Sequence, residues 1–109
     1  MNLVKELDKI QEATTSEFEN ENYDMDAMQK LAFDCTGNAV ATQTLLNKTP
    51  LAKFEKDVCA IMDKSGYDYV LELVAIAVTC DGGCYEIYYH LSWYDGEICT
   101  QTFCFETVY

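Results

Sequence analysis

The chain of 109 residues contains no arginine, and its seven lysines all lie at or before Lys64. Nineteen Asp and Glu outweigh them, leaving a net charge of −12. Nucleic acids and anionic membranes are polyanions, and a chain charged this way has little with which to neutralise phosphates. Without arginine there is no bidentate phosphate clamp, and no Gly-rich strand-to-helix loop offers backbone donors in its place. Gly82-Gly83 and Gly96 read as hairpin glycines instead. Direct binding of DNA or RNA and nucleotide-dependent chemistry therefore drop out of the expected functions. Long apolar runs are also missing. The longest uncharged one, Leu73 to Val78, falls far short of the roughly 20 residues of a membrane span. The opening MNLVKELDKI is charged and amphipathic, unlike a secretory leader, so the expected location is the cytoplasm. In that compartment Cys35, Cys59, Cys80, Cys84, Cys99 and Cys104 are expected as reduced, packed thiols.

What the chain does have is material for a core. Half its residues are apolar and 13% are aromatic, enough for one domain spanning residues 1–109. The pattern changes character at Gly66, with residues 1–66 reading as helical and 67–109 as sheet. Leu3, Leu7 and Ile10 set a helical stripe over about residues 2 to 13, which Thr14-Thr15-Ser16 weakens. The acidic EFENENYDMD stretch, Glu17 to Asp26, reads as a loop or a frayed join. Asp24 or Asp26 can cap a second helix with the face Met28, Leu31, Ala32 and Cys35, broken at Gly37-Asn38. Ala39 to Leu46 can form a short helix. Thr49-Pro50 is an N-cap followed by proline at the first helical position, and Leu51, Phe54, Val58, Ile61 and Met62 continue at helical spacing to Ser65-Gly66.

Three β-rich segments follow, at 67–80, 84–94 and 97–108, separated by Asp81-Gly82-Gly83 and Asp95-Gly96. The fold class is therefore α+β, with N-terminal helices packed on a C-terminal three-stranded antiparallel β-meander. A two-residue Asp95-Gly96 turn predicts Trp93 opposite Ile98 and Ile87 opposite Cys104. A Gly82-Gly83 turn predicts Val78 opposite Ile87. One face then collects Val74, Ile76, Val78, Ile87, Tyr89, Leu91, Trp93 and Ile98 and is assigned to the helices. The other carries Leu71, Leu73, Glu86, Tyr88, His90, Ser92, Cys99, Gln101, Phe103 and Phe105. A three-residue turn at Gly82-Gly83 would shift the first strand by one and flip its faces. In either case the second face is too aromatic to stand idle, and it is covered or binds something.

Residue constellations for catalysis are thin. His90, the one histidine, lies six positions from Cys84, roughly 20 Å along a strand, too far for base and nucleophile. Cys99 lies diagonal to His90 if Ser92 pairs with Cys99, yet nothing around it supplies an oxyanion hole. A half-buried strand histidine is the preferred reading. Cys80 and Cys84 flank a turn as zinc ligands do, but a structural site takes four ligands and no second close pair exists. The acids of Glu19 to Asp26 do not follow the calcium-loop spacing. No cofactor and no enzymatic activity are expected.

The acidity is what remains. Its plain reading is solubility. Its functional reading is a basic partner, because a carboxylate surface attracts Lys/Arg-rich grooves and speeds encounter. The residues expected to touch such a partner are Glu17, Glu19, Glu21, Asp24 and Asp26 in the base-free stretch. In the lysine-free sheet they are Glu86, Tyr88, Asp95 and Glu97, where aromatics ringed by carboxylates suit an arginine-bearing surface.

In its ENENYDMD stretch, its Tyr-rich meander and its lack of arginine the whole chain resembles the small acidic inhibitors of phages and mobile elements, of the anti-CRISPR type. The resemblance implies a DNA mimic acting in the bacterial cytoplasm. It would bind a basic nucleic-acid enzyme such as a Cas effector and block its channel sterically. An immunity protein against a nuclease toxin is the alternative within that class. A cysteine/zinc-binding protein built on Cys80, Cys84, Cys99 and His90 is the alternative outside it. A homodimer through the Tyr88/Phe103 side of the sheet is compatible with any of these.

Overall fold

The computed structural model describes residues 2–20, 23–33, 39–78 and 83–108. Within them four helices precede three strands: α1 (Leu3–Glu19), α2 (Met25–Phe33), α3 (Ala39–Leu46), α4 (Pro50–Ser65), β1 (Tyr69–Val78), β2 (Cys84–Tyr94) and β3 (Ile98–Val108). The strands form one antiparallel sheet in the order β1-β2-β3, and the expected α+β arrangement is the one observed.

The helices follow from local chemistry. Asn2 caps α1 by accepting from the Lys5 amide, and Leu7, Thr14 and Phe18 are buried along one stripe. The expected weakening at Thr14 does not occur. Thr14 is buried, and its hydroxyl donates to the Ile10 carbonyl at 2.9 Å, so the polar side chain is satisfied within the helix. Burial of Phe18 on the next turn carries α1 on to Glu19, and Glu17 and Glu19 are helical rather than part of a loop. The Asp24 carboxylate accepts from the Ala27 amide at 3.2 Å and so caps α2. Met28 and Leu31 of α2 face the core as expected, while Cys35 and the Gly37-Asn38 break lie outside the described residues. Thr49 caps α4 with Pro50 next to it, Leu51, Phe54, Val58 and Met62 are buried, and Gly66 ends the helix with φ +78°.

The sheet departs from the expected register at both of its connections. Tyr94 pairs with Ile98, so the β2–β3 connection is the three residues Asp95-Gly96-Glu97, with Gly96 at φ +76°. Trp93 therefore meets Cys99, Tyr89 meets Phe103 and Ile87 meets Phe105, each partner one residue later than predicted. Asp-Gly marks where the chain needs a positive φ without fixing the loop length. The hydrophobic term decides the length. This register turns Phe103 and Phe105 toward the helices, where both are buried, and the two-residue turn would leave them on the opposite face. Burying two phenylalanines is worth about 3–6 kcal/mol, against the exposure of one Ile98.

In β1 a bulge falls between Leu73 and Ala75. Leu71 and Leu73 before it, and Ile76 and Val78 after it, all pack against the core, and Val74 is turned out. The expectation that Val74 faces the helices and Leu71 and Leu73 do not is thus reversed. An unbroken strand puts only alternate residues of this apolar run on one side; the bulge admits both sets. Of the Asp81-Gly82-Gly83 turn, only Gly83 is among the described residues.

The core lies between the helices and one face of the sheet, with Phe54 of α4 at its centre. Its ring centroid is 4.9 Å from Tyr89, 5.0 Å from Phe103 and 4.9 Å from Phe105. Phe18 of α1 reaches Phe105 at 5.8 Å. Along β2, Tyr85, Ile87, Tyr89, Leu91 and Trp93 are buried and the residues between them are half-buried, and among the described residues the core helices pack on the buried side alone.

Candidate interaction surface

The uncovered face is a set of cross-strand rows. Ala77, Glu86 and Glu106 form one, Ala75, Tyr88 and Cys104 the next, then Glu72, His90 and Thr102, then Val70, Ser92 and Thr100, with Tyr94 and Ile98 at the hairpin end. Three of these residues are glutamates and none is lysine or arginine. Val70, Val74, Tyr94 and Ile98 are each more than half exposed, at 57%, 59%, 56% and 70%. Along the strands Val70, Tyr94 and Ile98 lie toward the β2–β3 hairpin, whose loop carries Asp95 and Glu97, and Glu86 and Glu106 lie at the far end, roughly 26 Å away from Tyr94 to Glu86.

At the acidic end Glu86 stands directly opposite Glu106. Like charges in that position repel across a strand pair. Tyr88 donates its phenolic proton to the Glu86 carboxylate. That bond, ahead of desolvation and the carboxylate's charge, pushes the Tyr88 phenol up to about 12. The Cys104 thiol beside it is also held above its usual range, by burial first and then by the charges of Glu86 and Glu106, with the Tyr88 hydroxyl opposing. It is thus held toward the protonated thiol, away from the thiolate that a nucleophile or a metal ligand requires. A cleft of about 520 Å³ joins this end to α1, lined by Glu19, Cys84, Cys104 and Glu106 among others. A shallower depression of about 550 Å³ lies over Glu72, Val74, Tyr88 and His90.

The residues expected at the partner site are only partly gathered here. Glu19, Glu86 and Tyr88 belong to the acidic end. Glu17 instead shares a cleft of about 360 Å³ with Lys48 and Lys53, cations that offset its charge. Asp24 is engaged as a helix cap, and Asp26 is exposed in the first turn of α2. Asp95 and Glu97 sit at the hairpin, the other end of β2, where the charge of Asp95 is the main cause raising the Tyr67 phenol. Glu21 lies outside the described residues. The sequence does not single out Glu72, Glu106 or Val70, and its expected register puts Val74 and Ile98 on the helix-covered face. They share the alternation of Glu86 and His90 once the hairpin loop is counted as three residues and β1 is bulged.

One expectation is corrected by the faces, and the preferred reading of His90 as a half-buried strand histidine holds. Phe103 is fully buried against Phe54 while Tyr88 lies on the open side, so no surface contains both and the proposed Tyr88/Phe103 dimer face does not exist. Cys99 is opposite Trp93 and His90 is opposite Thr102, which puts thiol and imidazole on opposite faces of the sheet and rules out their contact. Among the described residues, no three His, Cys, Asp or Glu side chains are grouped to hold a metal ion; Cys80 lies outside them. No helix among the described residues is long and apolar enough to cross a membrane. No family model, curated protein or solved structure matches the chain.

Proposed function

We propose that the chain is a non-enzymatic inhibitor that binds a basic nucleic-acid-binding protein and occludes its DNA or RNA site, as an anti-CRISPR protein does to a Cas effector. The observation that carries this reading is charge segregation. Every lysine belongs to the helical half, and the uncovered face of the sheet bears Glu72, Glu86 and Glu106 with no lysine among them. Grooves built to hold phosphates are the most basic surfaces a protein offers, and carboxylates compete for the same lysines and arginines. Effectors that hold an RNA–DNA heteroduplex have long channels of this kind. Occupying one needs affinity and bulk and no catalytic residue.

The test is capture from bacterial lysate on the tagged chain, washed at low and then high salt, with the released protein identified by mass spectrometry. The expected result is one large basic nucleic-acid enzyme, released by salt and displaced by its own nucleic acid substrate. A partner that survives the salt wash, or that binds the chain and its nucleic acid together, overturns the reading.

A further inference from the structure

The uncovered sheet face has features that assign it an occupant. We infer that it receives a protein segment carrying both cations and apolar side chains. The cations lie over Glu86 and Glu106, and the apolar groups over Val70, Tyr94 and Ile98. This rests on the proposed binding of a basic protein and adds the surface and the chemistry of the contact.

Charge selects among occupants. The titratable groups on the face are Glu72, Glu86, Glu106, His90, Tyr88, Tyr94, Cys84 and Cys104, and only His90 can carry a positive charge. A second copy of the chain would set one group of glutamates against another with no lysine on either side, which opposes association at neutral pH. A nucleic acid or an anionic lipid meets the same repulsion. A cation placed between Glu86 and Glu106 instead relieves a cross-strand repulsion that no lysine ion pair offsets among the described residues, since the ion pairs there are Lys9–Glu6 and Lys53–Asp57.

The apolar half of the face distinguishes it from the other acids. Val70, Tyr94 and Ile98 are adjacent at the hairpin end, and exposed apolar groups clustered beside charges mark contact surfaces. On α1 and α2 the exposed apolar residues are Val4, Met25 and Phe33, one at a time along a helix, whereas Tyr94 and Ile98 are cross-strand partners. Glu17 faces lysines and Asp24 caps a helix.

The experiment is residue-by-residue mapping of amide shifts in the isotope-labelled full chain, titrated with a synthetic peptide of interspersed arginine and leucine. Perturbation is expected at Val70, Glu72, Tyr88, Tyr94, Ile98 and Glu106. The double variant Glu86→Gln/Glu106→Gln is expected to bind about fivefold to tenfold more weakly, with a shallower dependence on salt. Val70→Ser/Ile98→Ser weakens binding and leaves that dependence unchanged. Mapping uses the unaltered chain, so it does not depend on a variant folding. Shifts confined to Glu17, Glu19 and Asp26 overturn this surface and leave a basic partner in place. No shifts anywhere overturn both the surface and the basic-partner reading. Shifts on the face that arise on concentrating the chain alone make a second copy the occupant and overturn the inference.

Discussion

At the scale of single residues the shortage of cations shows in who hydrogen-bonds to the carboxylates. Tyrosine hydroxyls serve where arginine is absent. Tyr69 donates to Asp63 at 3.0 Å, Tyr88 to Glu86 and Tyr89 to Glu55. Each bond favours the neutral phenol, so all three are held above the ordinary tyrosine range. For Tyr89 burial is the larger cause and Glu55 adds to it; for Tyr69 the bond to Cys59 comes first, then burial and Asp63. The sign of the linkage follows. A phenol held up to about 12 in the folded chain, against about 10 unfolded, keeps a proton that the unfolded chain has lost. Its contribution to stability is complete below pH ~10 and is lost as pH rises toward ~12. Glu86→Gln removes the charged acceptor, and residue-resolved NMR titration should then find Tyr88 ionising closer to 10. A Tyr88 titration unmoved by this change would mean that the carboxylate is not the cause.

At the scale of elements, most of the helical half was legible in the sequence because its signals are local. Thr49-Pro50, the spacing of Leu51, Phe54 and Val58, and Gly66 each act within a turn of chain, and α4 begins and ends where they place it. A cap at Asp24 or Asp26 was legible for the same reason, and Asp24 is the one that accepts from the Ala27 amide. Number, order and direction of the strands were legible from the turn glycines. Their facing was not. A one-residue difference in a hairpin loop inverts every side chain of a strand, and whether Asp95-Gly96 closes in two residues or three is settled by distant Phe54, not by the turn itself. The bulge after Leu73 has the same origin, since the run LVAIAV carries no mark of which residue is extra. This is why Phe103 and Phe105 were assigned to the wrong face and why Glu106 and Ile98 were overlooked at the candidate surface. The observed register makes an unequal prediction for two large apolar residues of β3. Phe105→Ala empties a core site and should cost about 3–5 kcal/mol in denaturant unfolding, whereas Ile98→Ala should stay within about 0.5 kcal/mol. The two-residue register requires the opposite ranking.

At the scale of the whole molecule, nineteen acids face seven lysines, and among the described residues they form few stabilising contacts with one another. The ion pairs among the described residues, Lys9–Glu6 at 3.5 Å and Lys53–Asp57 at 2.8 Å, are one-turn helix pairs at exposed sites, each worth about 0.3–0.5 kcal/mol. Long-range repulsion therefore outweighs attraction in the folded state, and a compact chain of net charge −12 suffers more from it than an unfolded one. Salt screens that repulsion over a Debye length that falls from about 30 Å at 0.01 M to about 8 Å at 0.15 M. Thermal unfolding followed across this range should shift to higher temperature as salt is added. A shift downward would mean that ion pairs, not repulsion, dominate the folded state. The same salt should weaken capture of a basic partner, because there the screened charges attract. Salt thus acts with opposite sign on folding and on binding. That opposition separates an acidic surface that serves recognition from one that serves solubility alone: both predict the rise in melting temperature, and only recognition predicts the accompanying loss of affinity.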